Sequence, residues 1–370
     1  LHPRVRRQRQ MCIRDSLYLV HNKFRTQNNN SKGSYMGITA KELARKLNLS
    51  AAAVSMALNH KPGVSTATRQ LVLDAAEKYG YDFSRIAEKH TTSGAIYFVI
   101  YKKHGTVVAD TPFFSQVSEG ISQGCKKNDY RLKISYIYED EDTITKQIEE
   151  IQYSDCAGII LLGTEMEAGD LKPFLNLPIP VVLLDAYFET VPCNCVLINN
   201  VQGAYLAARH LIRTCKTQPG YLRSAYQISN FAERSSGFYK AVRAAGMSSS
   251  RSIVHSLTPS MEGAYTDMLE LIKNGEELAS CYFADNDLIA VGAMKALKES
   301  GYRIPQDIGI VGFDNLPLGS VVEPALTTIH VPKQYMGEAA AQKLIDLLNT
   351  PGQPPTKTEV STMLVKRGTV

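Results

Sequence analysis

The sequence lacks tryptophan, holds only 7 cysteines in 370 residues, and contains no apolar run near the 18 residues that a membrane-spanning helix needs. No membrane span is therefore expected. The apolar stretch Leu17-Tyr18-Leu19-Val20 follows basic residues but is shorter than the roughly 7–15 residues at the centre of a secretory signal, so export is not expected either. The cysteines are odd in number and scattered, and only Cys193 and Cys195 lie close together. A metal site on that C-x-C would need partners at ligand spacing, and none is found. Reduced thiols, no metal and no cofactor are the expectation.

Catalytic motifs are also missing. There is no Walker loop, no H-E-x-x-H and no G-x-G-x-x-G, and Gly309-Ile310-Val311-Gly312 lacks the dinucleotide spacing. Gly120-Ile121-Ser122-Gln123-Gly124 matches G-x-S-x-G, but a nucleophile elbow needs a strand-to-helix turn. Here the match lies in a helical pattern with Val117, Ile121 and Cys125 on one face, so no catalytic residue is assigned and the chain is not expected to be an enzyme.

What is present is a charge asymmetry. The net charge of +5 divides into +7 over residues 1–35, +3 over 36–92 and −5 over 93–370. The first 35 residues are Arg- and Asn-rich without helix or strand periodicity, which reads as disorder. One function for them is a basic arm along a DNA groove. The alternative is that they are not native protein: the run Arg6 to Ser16, RRQRQMCIRDS, resembles translated sequencing-adapter read-through, with Met36 as the true start.

From Ile38 helix signals sharpen. Thr39-Ala40-Lys41-Glu42 fits a capping box ahead of Leu43, Ala44 and Leu47; Asn48 suits a left-handed turn; Ser50 can cap a second helix over Ala51 to Leu58. Ser65 then caps a third helix reaching Tyr79, with Gly80 as its stop and Val72, Ala75, Ala76 and Tyr79 as its packing face. Two short helices joined by a tight turn describe a helix-turn-helix. Val54 and Leu58 point inward on the second helix, which leaves Ala51, Ala52, Ser55, Met56 and Asn59 on the face that would enter a major groove. Readout would rest on thymine methyl contacts and on hydroxyl and amide groups of Ser50, Ser55 and Asn59, with Lys41, Arg45, Lys46 and Lys61 on phosphates.

Beyond Ser93 short β-branched or aromatic runs, Ala95–Ile100, Ala157–Leu162, Val181–Leu184 and Ile308–Phe313, alternate with amphipathic segments. Parallel sheets covered by helices follow, and the length calls for two α/β lobes.

The stretch ITAKELARKLNLSAAAVSMALNHKPGVSTATRQLVLDAAEKYGYDFSRIA resembles the DNA-binding headpiece of the lactose/galactose-repressor (LacI/GalR) family of bacterial transcription regulators. DCAGIILLG, PIPVVLLDAY, FAERSSGFYKA, YFADNDLIAVGAMKALKESGYRIPQDIGIVGFDN and PALTTIHVPKQYMGEAAAQKL follow in the family's order. The resemblance implies an α/β chain with a three-helix helix-turn-helix headpiece (36–83), a hinge (84–92) and a two-lobed periplasmic-binding-protein-like body with parallel sheets (93–370). Lobe 1 would take about 93–199 and 329–349, lobe 2 about 200–328 and 355–370, joined by three crossing segments. The DNA-facing set becomes Thr39, Ser50, Ala51, Ala52, Ser55, Met56, Asn59, His60 and Lys61, plus His90 in the hinge, where the family usually has a leucine wedge. Histidine is a poorer wedge for unstacking a base step, and Glu88 adds charge near phosphate, which places strong operator kinking in doubt.

The same resemblance implies an effector between the lobes, contacted by Phe113, Phe114, Asp185, Arg234, Asn286 and Asp287, with Leu257 at the position where relatives often have an aromatic platform. Forked Arg donors, Asp acceptors and apolar rings suit a sugar, while a nucleobase or other small metabolite stays open. A cytoplasmic homodimer on a pseudo-palindromic operator is implied, acting as a repressor. The rival is a solute-binding protein of the periplasmic type with no DNA role; the helix-turn-helix is the feature against it.

Overall fold

The computed structural model describes residues 38–58, 63–81, 94–103, 105, 107–108, 112–139, 141–152 and 154–370. They fall into a small helical unit and a large α/β unit.

In the helical unit, α1 (Ala40–Leu47) starts at a complete capping box: Glu42 N donates to Thr39 Oγ1, and Thr39 N donates to Glu42 Oε2 at 2.8 Å. Two orphan amides at the helix start are thereby satisfied. Asn48 takes the left-handed conformation at φ 53, and α2 (Ala51–Leu58) opens with Ser50 Oγ accepting from Ala53 N at 3.1 Å. Ser65 caps α3 (Thr66–Lys78) in the same way, and Gly80, at φ +66, turns the chain at its end. Leu43, Val54, Ala57, Leu58, Val72 and Ala76 form the buried centre. Tyr79, expected on the packing face, is partly exposed instead. Helix α3 ends one residue earlier, and the Tyr79 ring lies under the Lys46 ammonium at 4.2 Å, a cation–π contact that an exposed ring can make.

In the α/β unit, β1 (Ala95–Lys102), β2 (Arg131–Tyr138), β3 (Cys156–Leu162), β4 (Val181–Leu184), β5 (Asn194–Ile198) and β11 (Lys357–Val360) form one sheet in the order β11-β5-β4-β3-β1-β2. The second sheet runs β12-β10-β9-β8-β6-β7, built from β6 (Gly220–Ser224), β7 (Val254–Leu257), β8 (Cys281–Ala284), β9 (Gly309–Asp314), β10 (Thr327–His330) and β12 (Met363–Val365). Every pairing is parallel except β10 with β12. In the first sheet Ile159 to Leu162 stand opposite Val181 to Leu184, so two continuous apolar runs form a centre buried on both faces.

Helices α4 (Pro112–Lys127), α5 (Glu141–Gln152), α6 (Ala168–Leu175) and α12 (Lys333–Asn349) belong with the first sheet; α7 (Asn200–Cys215), α8 (Ser229–Ala244), α9 (Met261–Lys273), α10 (Asp287–Glu299) and the short α11 (Leu318–Val321) belong with the second. The G-x-S-x-G match lies inside α4 and has a packing role. A methyl group built on Gly120 would run into the Gln334 carbonyl oxygen, and one on Gly337 into that of Val117, so α4 and α12 approach to backbone contact.

The chain passes between the sheets three times, at Asn199, at 331–332 and at 361–362. The last passage corrects the expected boundary. Residues 357–360 do not join the second lobe but add a parallel edge strand to the first sheet, with Lys357 opposite Cys195, and only β12 crosses over. Among the described residues no helix is long and apolar enough to cross a membrane.

Candidate effector cleft and DNA-reading face

In parallel α/β sheets the carboxyl ends of the strands and the helix starts that follow them surround a shared crevice. Here both sheets deliver polar side chains into it. Thr164 follows β3, Asp185 follows β4, Asn286 follows β8, and Asp314 ends β9; α4 contributes Phe113 and Phe114, and α8 contributes Asn230, Phe231 and Arg234. The cleft holds about 480 Å³ of space free of protein atoms, part of it open to solvent.

Asp185 has left-handed backbone at φ 62 and is nearly fully buried. Its Oδ2 accepts from the Thr164 hydroxyl at 2.7 Å, while its buried Oδ1 has no hydrogen-bond partner among the described residues. Burial pushes its carboxyl up to about 6, although the Thr164 hydrogen bond and the Arg234 charge oppose that rise. Arg234 is fixed on four sides: Nε donates to Asn200 Oδ1 at 2.9 Å, Nη1 to the Asp285 carbonyl at 2.5 Å, Nη2 to Asp314 Oδ1 at 3.3 Å, and its guanidinium lies 3.8 Å from the Phe313 ring centre. That leaves guanidinium hydrogens over for a ligand, because five N–H groups exist and three are used here. Asn286 caps α10 through Oδ1 to Ile289 N at 2.8 Å, and its side chain borders the cleft.

Five of the six residues expected at the effector site, Phe113, Phe114, Asp185, Arg234 and Asn286, line this cleft together. Asp287 does not. Its carboxylate is fully buried behind the cleft wall, where Oδ2 accepts from Leu316 N at 2.7 Å and Oδ1 from the Thr328 hydroxyl at 2.5 Å. The reason is positional: Asn286 occupies the cap, so the next side chain points into the lobe. Burial and the charge of Asp314 push Asp287 up to about 7. The acid that faces the cleft from this lobe is Asp314, which sequence reasoning missed. The signal was available, since GIVGFD ends in Asp just as PVVLLD does. Leu257 lies in the core of the second lobe and not on the cleft wall; the aromatic side chain that lobe contributes is Phe231.

On the headpiece, Ala51, Ala52 and Ser55 form an exposed face of α2 and Met56 is half-buried beside them. Ser50 and Thr39 spend acceptor capacity on their caps, and the Thr39 hydroxyl hydrogen goes to Glu42 Oε2 at 2.8 Å. Lys41, Arg45 and Lys46 are exposed on α1. Asn59, His60, Lys61 and His90 lie outside the described residues. Among the described residues no group of three or more His, Cys, Asp or Glu is placed to hold a metal ion.

Residues 39–83 match the family described as "Bacterial regulatory proteins, lacI family", and residues 208–370 match the "Periplasmic binding protein-like domain". A helix-turn-helix ahead of a two-lobed ligand-binding fold defines a DNA-binding transcription regulator, not an enzyme. Headpiece and body both resemble the LacI family of these regulators. It is 29% identical over 339 residues to the HTH-type transcriptional regulator GalR of Escherichia coli (strain K12), covering 90% of this chain and 95% of that one. It is 28% identical over 313 residues to the HTH-type transcriptional repressor PurR of Mannheimia succiniciproducens, covering 83% and 91%. Among solved structures, the transcriptional regulator CelR–cellobiose complex has the same fold (TM-score 0.67, 22% identity, 90% of this chain and 100% of that one). The lac repressor dimer bound to operator and the anti-inducer ONPF does too (TM-score 0.65, 21% identity, 90% and 99%).

Proposed function

We propose that this regulator is a cytoplasmic homodimeric repressor whose two headpieces bind a pseudo-palindromic operator and whose cleft takes an uncharged sugar or related polyol as effector. The observation that carries the effector class is the unpartnered Oδ1 of Asp185, a buried acceptor facing a cleft that also holds Arg234, Asn286 and Asp314. A buried acceptor without a donor is costly, and a ligand hydroxyl would satisfy it. Phe113, Phe114 and Phe231 supply faces for C–H groups. The relatives support the class, since solved structures of like fold hold cellobiose and ribose. In the headpiece Ala51, Ala52, Ser55 and Met56 would meet base edges, and Lys41, Arg45 and Lys46 phosphates.

Dimerisation is supported by β2. This strand is at the edge of its sheet and exposes Ile134, Tyr136 and Tyr138 on one face, an apolar stripe that a lone domain rarely leaves open. A two-fold protein suits a two-fold operator. The test is a thermal-shift screen of sugars and nucleobases, because a ligand specific to the folded state raises the melting temperature. A shift with sugars that Asp185→Asn abolishes supports the reading; a shift with nucleobases alone would replace it.

A further inference from the structure

One carboxylate near the cleft does something the effector contacts do not use. Glu165 follows Thr164 in the turn after β3, and it is almost fully buried. Its Oε2 accepts from the backbone N–H groups of Lys103 at 2.9 Å and Gly105 at 3.0 Å; its Oε1 accepts from those of Val107 and Val108, each at 2.9 Å. Four amides of the segment joining β1 to α4 thus converge on one side chain. The segment is otherwise without regular structure over its described residues, and Gly105 takes φ +64 within it.

That segment is a wall of the cleft. Val107 lines it, and α4, which brings Phe113 and Phe114, begins a few residues further on. The turn carrying Glu165 therefore works in two directions: Thr164 orients the Asp185 carboxylate, and Glu165 gathers the opposite loop. The Lys103 ammonium does not compete for this role, since it pairs with Glu139 at 3.0 Å and Glu167 at 3.2 Å.

We propose that Glu165 is a positioning residue for the effector site, holding the Lys103, Gly105, Val107 and Val108 amides in the arrangement that makes Val107 a cleft wall. This rests on the cleft being the effector site. The chemistry requires a carboxylate: ionised, it offers about four acceptor positions, one for each N–H, whereas a Gln side chain offers two and turns an NH₂ group toward the remaining donors. Buried amides facing a donor lose their bonds and the loop must rearrange.

The test compares the full chain with Glu165→Gln and Val107→Ala. Backbone hydrogen exchange is read at Gly105, Val107 and Val108, with the β4 amides as reference. Binding is read with D-ribose, cellobiose, D-xylulose and hypoxanthine as probes. For Glu165→Gln the expected result is exchange at the three loop amides about tenfold faster or more, an unchanged β4, and a dissociation constant raised about tenfold for the probe the full chain binds. Val107→Ala should weaken binding with loop exchange unchanged. If Glu165→Gln loosens the loop and binds as well as the full chain, or leaves loop exchange unchanged, the proposal is overturned. Should Glu165→Gln unfold the body, seen as fast β4 exchange, Glu165→Asp replaces it; it keeps the charge but falls one methylene short, and must show the same two effects at smaller size. If the full chain binds none of the four probes, the reading of the cleft as a sugar or nucleobase site fails, and this role for Glu165 fails with it; a bound probe with no effect of the substitutions removes the Glu165 role alone.

Discussion

The Thr164 hydroxyl donates to Asp185 Oδ2 at 2.7 Å, and the other carboxylate oxygen, Oδ1, is buried and has no partner among the described residues. One residue orients the group that another molecule must complete. The protonation of Asp185 follows from this arrangement, and so does its linkage to ligand.

Burial raises the Asp185 carboxyl to about 6 from an ordinary 3.8. A carboxyl raised on folding contributes stability below its unfolded pKa and loses it as pH rises through the folded one. Asp185→Asn should therefore flatten the fall in melting temperature between about pH 4 and pH 6 relative to the wild type. The stability difference across that window is about 2–3 kcal/mol. Parallel pH profiles of the two melting temperatures would remove the buried-acid account.

Ligand donation to Oδ1 favours the ionised carboxylate, so affinity should rise with pH up to about 6 and level off above it. Calorimetric titration of a bound sugar at pH 5 and pH 7.5 reads this. Tighter binding at the lower pH would mean that a protonated Asp185 is the binding form.

Asp287 and Asp314 are expected to behave differently although both are acids of the same lobe. Asp287→Ala strips partners from Leu316 N and the Thr328 hydroxyl, a loss of about 2–4 kcal/mol of stability. Asp314→Ala removes a cleft-facing acid and leaves Arg234 a partner short, so its main effect should be on ligand binding. Chemical denaturation and ligand titration of both variants separate the roles. Equal losses in both measurements would erase the distinction.

On the headpiece, Met56 is half-buried at the edge of the exposed face of α2. Met56→Arg should change which operator bases are preferred, by about 1–3 kcal/mol at the affected position, as read by binding selection. An unchanged preference removes Met56 from readout.

At the sheet edge, Tyr136→Glu places a charge in the exposed stripe with Ile134 and Tyr138. Sedimentation should show a lower-mass species at concentrations where the wild type is dimeric. Unaltered association would move the dimer contact off β2.

Much of this architecture was legible in the residues. The capping box at Thr39, the left-handed Asn48 and the apolar runs at 159–162 and 181–184 each carry a local physical signature, and the structure shows elements where those signatures lie. The less legible features depend on three-dimensional placement. Nothing local in ADNDLIA tells which of Asn286 and Asp287 faces the cleft, because the cap assigns one outward and its neighbour inward. Strand β11 was hidden because KTEV is polar, exposed and at an edge, with no apolar run to mark it. Glu165 was invisible for a related reason: the four backbone amides that donate to it among the described residues lie 57 to 62 residues away and leave no trace in side-chain pattern.

The central claim is that the cleft and the headpiece act in one regulator, and the most direct measurement is operator affinity with and without ligand. Operator DNA obtained by binding selection is titrated with the wild type and with Asp185→Asn, each with and without the sugar that raises the wild-type melting temperature. The account predicts that sugar changes the wild-type operator dissociation constant by fivefold or more, the lower range of allosteric coupling being about 1 kcal/mol, and that the ratio falls to about one in the variant. A wild-type ratio of one, or a variant that responds like the wild type, would contradict it.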